Sequence, residues 1–121
     1  KPEGKFVFVE FHPNVWMYNT DFSKVKYNYF NTEAIIEEEQ GTYADKEANT
    51  SFKYVFWNHG LSEVISGLLS NNLILKIFKE YNYSPYDCFD NTEKIGERKY
   101  QIKPFGNKMP LCYSILATKS K

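Results

Sequence analysis

The sequence contains little that would support a disulfide scaffold, a charged docking surface or a membrane span. Its two cysteines, Cys88 and Cys112, form no disulfide framework and have no metal-ligand spacing with a histidine. Fifteen basic and fifteen acidic residues cancel, so no net field attracts nucleic acid or anionic lipid. No apolar run approaches the ~20 residues of a membrane-spanning helix, and residues 1–5 lack the apolar core of a signal peptide. These absences predict a reduced, cytoplasmic protein without nucleic-acid or membrane partners.

Glycine is also scarce, whereas aromatic residues are abundant. None of the six glycines belongs to a G-x-G motif, the turn that lets a backbone approach the phosphate or ribose of a bound nucleotide. Tyr, Phe and Trp make up 18% of the residues. Most of these rings are expected in the core, and a cluster at one site would be needed to indicate stacking on a ligand.

Apolar patterning predicts three strands and one helix. Residues 6–11 form a short, near-continuous apolar run, typical of a strand covered on both faces. Residues 73–81 and 111–118 are strands by composition and length, with a further short strand possible at 100–102. The helical stripe consists of Leu61, Val64, Ile65, Leu68 and Leu69. Asn58 is a plausible N-cap, and Asn71–Asn72 can supply a left-handed residue at the end.

The segment 14–58 follows a different pattern. Residues 25–30 and 52–57 alternate apolar and polar side chains, and residues 44–51 are polar and predict a loop. We interpret 14–58 as an irregular β-rich insertion, or cap, on one domain of 121 residues.

Several segments, in this order, resemble the C-terminal portion of class I S-adenosylmethionine-dependent methyltransferases, in particular a bacterial small-molecule subgroup. They are Lys1-Pro2-Glu3-Gly4-Lys5-Phe6, Glu10-Phe11-His12-Pro13, Gly41-Thr42-Tyr43-Ala44-Asp45, Trp57-Asn58-His59 and Pro110-Leu111-Cys112-Tyr113-Ser114. The first resembles the Leu-Lys-Pro-Gly-Gly turn before the family's fifth strand, with Glu3 in place of the first glycine.

The resemblance implies an α/β fold: the C-terminal part of a Rossmann-like domain, with a mixed sheet, an antiparallel last strand and a β-rich insertion. The last strand, 111–118, would lie between strands 6–11 and 73–81. The residues that bind S-adenosylmethionine would lie upstream of Lys1, so the cofactor belongs to the full-length enzyme and is not expected to bind this chain. The chain, a fragment or a remnant of a longer protein, would be inactive alone.

Candidate catalytic residues lie at the end of the first strand and at the start of the helix. Glu10 and His12 share one face of the strand end, where open α/β sheets bind ligands, and either could act as a base towards the methyl acceptor. His59 would be kept neutral by the helix dipole, with Glu63 one turn on to orient it. Hydrogen bonds that merely tie down the insertion, or a capping role for His59, are the structural alternatives.

Candidate substrate-binding residues are Trp16, Tyr18, Trp57 and Glu63. The three rings flank the points where the insertion leaves and rejoins the sheet, and could line an apolar lid over a small-molecule methyl acceptor. A small satellite core is the structural alternative. We expect the acceptor-binding part of a methyltransferase; the rival interpretation is a stand-alone α/β ligand- or peptide-binding module. Self-association through residues 6–11, an uninterrupted apolar edge, is also expected.

Overall fold

The computed structural model describes residues 1–41, 45 and 47–120. The strands are β1 (Lys5–Phe11), β2 (Ile35–Gln40), β3 (Ser51–Phe56), β4 (Leu73–Tyr81), β5 (Thr92–Gly96), β6 (Lys99–Ile102) and β7 (Cys112–Lys119). The helix α1 spans Leu61–Ser70, and 3₁₀ turns span Val15–Met17 and Gly106–Lys108. Thr42, Tyr43 and Ala44, which belong to the sequence resemblance, lie outside the described residues, as does Lys46, which with Ala44 belongs to the predicted loop.

The central sheet has the strand order that the sequence predicted. Strand β7 lies between β1 and β4 and is antiparallel to both. Phe8 pairs with Ile115, and Ile115 pairs with Phe78 on the other side. Because β1 and β4 run in the same direction, their carboxyl ends meet at the same edge of the sheet.

The predicted fold class, an α/β, Rossmann-like domain, is wrong. The described residues form a small, mostly β protein with one helix and three small antiparallel sheets. Two of these sheets are the pairs β2–β3 and β5–β6. The last strand lies between β1 and β4 as predicted, but every strand pair described is antiparallel and α1 is the one α-helix among the described residues.

The helix covers one face of the central sheet. Leu61, Val64, Ile65 and Leu68 pack against a core of Tyr113, Ile115 and Ala117. Leu69 was predicted in this stripe but is 54% exposed. The helix end is as predicted, with Asn72 in the left-handed region at φ 58°. The predicted N-cap is wrong, because Gly60 occupies that position without a side-chain cap.

A second core joins the start of the predicted insertion to the C-terminal third of the chain. Val15, Phe22, Ile102, Met109 and Leu111 are its buried members, with Tyr18, Phe89 and Phe105 packed against them. Residues 15–22 therefore pack against the body of the protein, whereas β2 and β3 pair with each other in a separate sheet. The strand predicted at 25–30 is not formed; Val25 makes an isolated bridge to Tyr18.

The face of the central sheet opposite the helix is open except near Cys112. Val7 is 71% and Val9 64% exposed, and Ile74 and Ile77 on β4 are also exposed. The prediction that residues 6–11 are covered on both faces is therefore wrong. Strand β1 pairs only with β7, so its other backbone edge has no neighbouring strand among the described residues.

Glu3 has a backbone conformation that glycine favours. Its φ of 62° lies in the left-handed region, which glycine adopts without strain and which costs a side-chain-bearing residue roughly 1–2 kcal/mol. Its N–H donates to the Lys119 carbonyl at 3.1 Å, which fixes the turn beside the end of β7.

Candidate functional site

A row of three polar side chains crosses the central sheet at the carboxyl ends of β1 and β4. Glu10 pairs with Tyr113, and Tyr113 pairs with Glu80. Cross-strand partners point to the same face, so all three lie on the side that the helix covers. Adjacent strands are about 4.8 Å apart, which places the two glutamate backbones roughly 10 Å from each other with Tyr113 between them.

His12 follows β1 and is buried beside this row. Its Nδ1 accepts a hydrogen bond from the Asn14 N–H at 3.3 Å, and its Nε2 lies 3.4 Å from Oε1 of Glu80. The ring also makes an edge contact with Tyr113, with centroids 6.0 Å apart. His12 is thus fixed by its neighbours on both ring nitrogens, and it links the end of β1 to the end of β4.

Tyr29 connects the row to the start of the helix. Its hydroxyl accepts a hydrogen bond from the Leu61 N–H at 3.0 Å, which satisfies one of the free donors of the first helical turn. Gly60 permits this approach, because a Cβ there would lie 2.9 Å from the Tyr29 ring. The Asn58 amide donates to the Pro13 carbonyl at 2.9 Å, which holds the segment before the helix against the segment after His12.

Burial raises the pKa of Tyr113, and the nearby Glu10 carboxylate and Tyr29 phenol raise it further. Burial also raises the pKa of the Cys112 thiol to about 11, with smaller contributions from Cys88 and Glu10. Tyr113 therefore stays protonated and can donate a hydrogen bond over the physiological range.

An open groove of about 420 Å³ adjoins Glu80. It lies between the end of β4 and the segment that leads into β7. Its lining residues are Glu80, Tyr81, Asn82, Tyr83, Asn107, Lys108, Met109 and Pro110. The Glu80 side chain is 45% exposed, so its carboxylate is accessible from this groove and is also in contact with His12. The groove offers carboxylate, ammonium, amide and phenol groups to a small polar ligand.

His59 and Glu63 form their own pair on the first turn of the helix. His59 Nδ1 lies 2.9 Å from Glu63 Oε1, as the i, i+4 spacing predicted. Both side chains are largely exposed, at 59% and 63%. The link between Asn58 and Pro13 brings the backbone of His59 near that of His12, while the His59 side chain is directed to Glu63.

The predicted lid residues have different surroundings. Trp16 makes edge contacts with Phe11 and Phe89, at centroid distances of 5.8 and 6.0 Å. Tyr18 packs against Phe105 as part of the second core. Trp57 is 53% exposed. The structure therefore gives Trp16 and Tyr18 packing roles and leaves the Trp57 side chain exposed.

Sequence reasoning missed Glu80, Tyr113 and Tyr29 as members of the site. Glu80 could have been predicted. It is the penultimate residue of β4, as Glu10 is the penultimate residue of β1, and both strands were expected to flank β7. Tyr29 had no such signal, since the strand predicted around it does not form. Within the described part of the chain, no three His, Cys, Asp or Glu side chains group as a metal site requires.

Comparison of the chain with protein-family models, with curated proteins and with solved structures finds no match. Over the residues that the structure describes, no helix has the length and apolar character to cross a membrane.

Proposed function

We propose that this chain is the acceptor-binding part of an S-adenosylmethionine-dependent methyltransferase that acts on a small molecule. The observation that carries the proposal is the convergence of Glu10, His12, Tyr113 and Glu80 at the shared carboxyl edge of β1 and β4, beside an open groove. The segment Glu10-Phe11-His12-Pro13, which resembles this enzyme family, forms part of that edge. The proposal rests on this site and on the sequence resemblance, since the chain is mostly β.

The residues of this chain contribute the acceptor side only. None of its six glycines forms a G-x-G, so the sequence lacks the turn that S-adenosylmethionine requires. The positive φ of Glu3 creates one glycine-like turn, but it is bound to the end of β7 and lies at the opposite end of β1 from the groove. Cofactor binding therefore belongs to residues outside this chain, and the chain alone is expected to be inactive.

The groove can position an acceptor beside the Glu80 carboxylate, which can take its proton. Fixing a reactant in the correct orientation supplies much of the rate enhancement in transfer reactions, and a placed base contributes a further ~10²–10⁴-fold. Glu10 and Glu80 supply carboxylates on either side of the buried Tyr113.

A methyl-transfer assay on the protein encoded by the complete reading frame tests the proposal. The protein is incubated with S-adenosylmethionine labelled in its methyl group and with a small-molecule extract of its source cells. We expect label in a small molecule, and a large loss of that label in the Glu10→Gln, Glu80→Gln double variant. Glu97→Gln, on the exposed turn between β5 and β6, is the matched control and should transfer normally.

Two results would contradict the proposal. One is the absence of labelled product at saturating methyl donor. The other is unchanged transfer in the double variant. Retention of an unmodified small molecule by the wild-type protein in native mass spectrometry, without transfer, would instead support a binding module.

A further inference from the structure

We infer that Glu80 takes the proton of the methyl acceptor and that His12 is a positioning residue that holds Glu80. The inference rests on the proposed function and narrows its substrate class. The acceptor is a small molecule whose reacting atom is an oxygen or nitrogen that carries a hydrogen.

The hydrogen bond at Nδ1 decides the tautomer of His12. Its Nδ1 is the acceptor of the Asn14 N–H, at 3.3 Å. A neutral imidazole carries its hydrogen on one nitrogen and accepts at the other, so this bond assigns the hydrogen to Nε2. The only basic lone pair of the neutral ring is therefore already engaged by the backbone.

Nε2 of His12 faces Glu80. It lies 3.4 Å from Oε1 of that residue, which is a close polar contact with the carboxylate. The ring itself is buried and makes an edge contact with Tyr113. The backbone holds the buried ring at Nδ1 and so keeps Nε2 beside the carboxylate, where the ring can orient Glu80.

Glu80 is accessible to a ligand in the groove, whereas His12 is not. The Glu80 side chain is 45% exposed and lines the groove, and the His12 side chain is 8% exposed. Only the carboxylate can reach both a ligand in the groove and the solvent. In the inferred step the O–H or N–H bond of the acceptor breaks, its proton moves to a carboxylate oxygen of Glu80, and the electron pair stays on the acceptor atom. The proton then leaves Glu80 to water.

Kinetics of the protein encoded by the complete reading frame separate the two roles. Glu80→Gln should lower kcat by ~10²–10⁴-fold with little change in KM, because the amide cannot take a proton. His12→Gln keeps an N–H near the position of Nε2 and should stay within about tenfold of the wild type, whereas His12→Ala should lose far more. Glu97→Gln is again the control. A near-normal Glu80→Gln, or a His12→Gln as impaired as His12→Ala, would overturn the inference.

Nitrogen-15 NMR of the imidazole rings in this chain tests the positioning role without any activity. At a pH where the His12 ring is neutral, we expect hydrogen on Nε2, and a shift of that resonance in Glu80→Gln but not in Glu97→Gln. Hydrogen on Nδ1, or no response to Glu80→Gln, would overturn the positioning role. If the wild-type protein transfers no methyl group, both the proposed function and the role of Glu80 as proton acceptor are contradicted. The NMR result would still decide whether His12 positions Glu80.

Discussion

Tyr113 lies where the core of the protein meets the candidate site. Its ring packs against Phe8 and Phe78 on the neighbouring strands, and its cross-strand partners are Glu10 and Glu80. One residue therefore belongs both to the hydrophobic layer beneath the helix and to the polar edge. Cys112, the residue before it, is buried on the opposite face of the sheet.

The Cys112 thiol should be unreactive in the folded protein. Burial raises its pKa to about 11, and the thiolate is the reactive species, so only a minute fraction is nucleophilic at pH 8. In a Cys88→Ala variant, a disulfide reagent such as dithionitrobenzoate should release no colour from the native protein and one equivalent after unfolding. Stoichiometric release within minutes from the native protein would contradict this burial.

Glu37 anchors the hairpin β2–β3 and should make stability depend on pH. Burial alone would raise its pKa, but hydrogen bonds from Lys26, Tyr27 and Tyr54 outweigh burial and hold the pKa below its ordinary value of 4.5. The carboxylate form is therefore bound more tightly in the folded state. This contribution is fully present above about pH 4.5 and is lost as the pH falls through the lowered pKa.

Urea unfolding of Glu37→Gln at two pH values measures this contribution. The variant should be less stable than the wild type by roughly 1–3 kcal/mol at pH 7, because hydrogen bonds to a charged group are lost. The difference should shrink at pH 3, because below about pH 4.5 the unfolded chain gains a proton on this carboxyl group and the advantage of the folded carboxylate declines. A difference that is the same at both pH values would contradict the role of the charge.

At the scale of elements, the helix provides a matched pair of substitutions. Leu68 packs against the sheet, whereas Leu69 beside it is 54% exposed. Leu68→Ala should lower the free energy of unfolding by about 2 kcal/mol, near the lower end for buried leucines because Leu68 is half-buried. Leu69→Ala should change it by less than about 0.5 kcal/mol. Equal losses in both variants, measured by chemical denaturation, would contradict the observed orientation of the helix.

The helix and the three strands of the central sheet could be predicted because each has a strong local pattern. Leu61–Ser70 and Leu73–Tyr81 have the predicted bounds. The error at Leu69 arose because an apolar stripe defines a face only to within about one residue, and the sheet here is too narrow to cover all of it. Residues 25–30 alternate as a strand does, but Tyr27 and Lys26 are directed to Glu37 and Tyr29 to the helix start.

The candidate site could be predicted in part. Glu10 and His12 were found because they share a strand face, a property of local geometry. The contact between His12 and Glu80 joins residues far apart in sequence and depends on the path of the chain through Pro13 and Asn14, which is fixed by Asn58. No local pattern carries that information. Tyr18 packs in the second core, most of whose other members come from residues 89–111, and a satellite core was the structural alternative to a lid.

At the scale of the whole molecule, the described residues cover one face of the central sheet and leave most of the other face open. Val7, Val9, Ile74 and Ile77 form an open apolar face, and β1 has an edge that no described strand occupies. Monomers seldom expose such a combination, since a flat apolar edge pairs readily with another chain.

The isolated chain should therefore self-associate through residues 6–11. Light scattering over a concentration series should show a rising apparent mass for the wild type. Val9→Lys places a charge on the open face of the edge strand and should reduce the association. Leu69→Lys, on the exposed side of the helix, is the control and should not. A wild-type chain that stays monomeric at high concentration would contradict the prediction.

Calorimetric titration with S-adenosylmethionine tests the central claim most directly, namely that this chain supplies the acceptor side and that the cofactor is bound elsewhere. Two proteins are compared: this chain and the product of the complete reading frame. We predict no measurable binding to the chain and micromolar binding to the longer protein, because the chain contains no glycine turn for the cofactor. Micromolar binding to the chain alone, or no binding to the longer protein, would contradict the account.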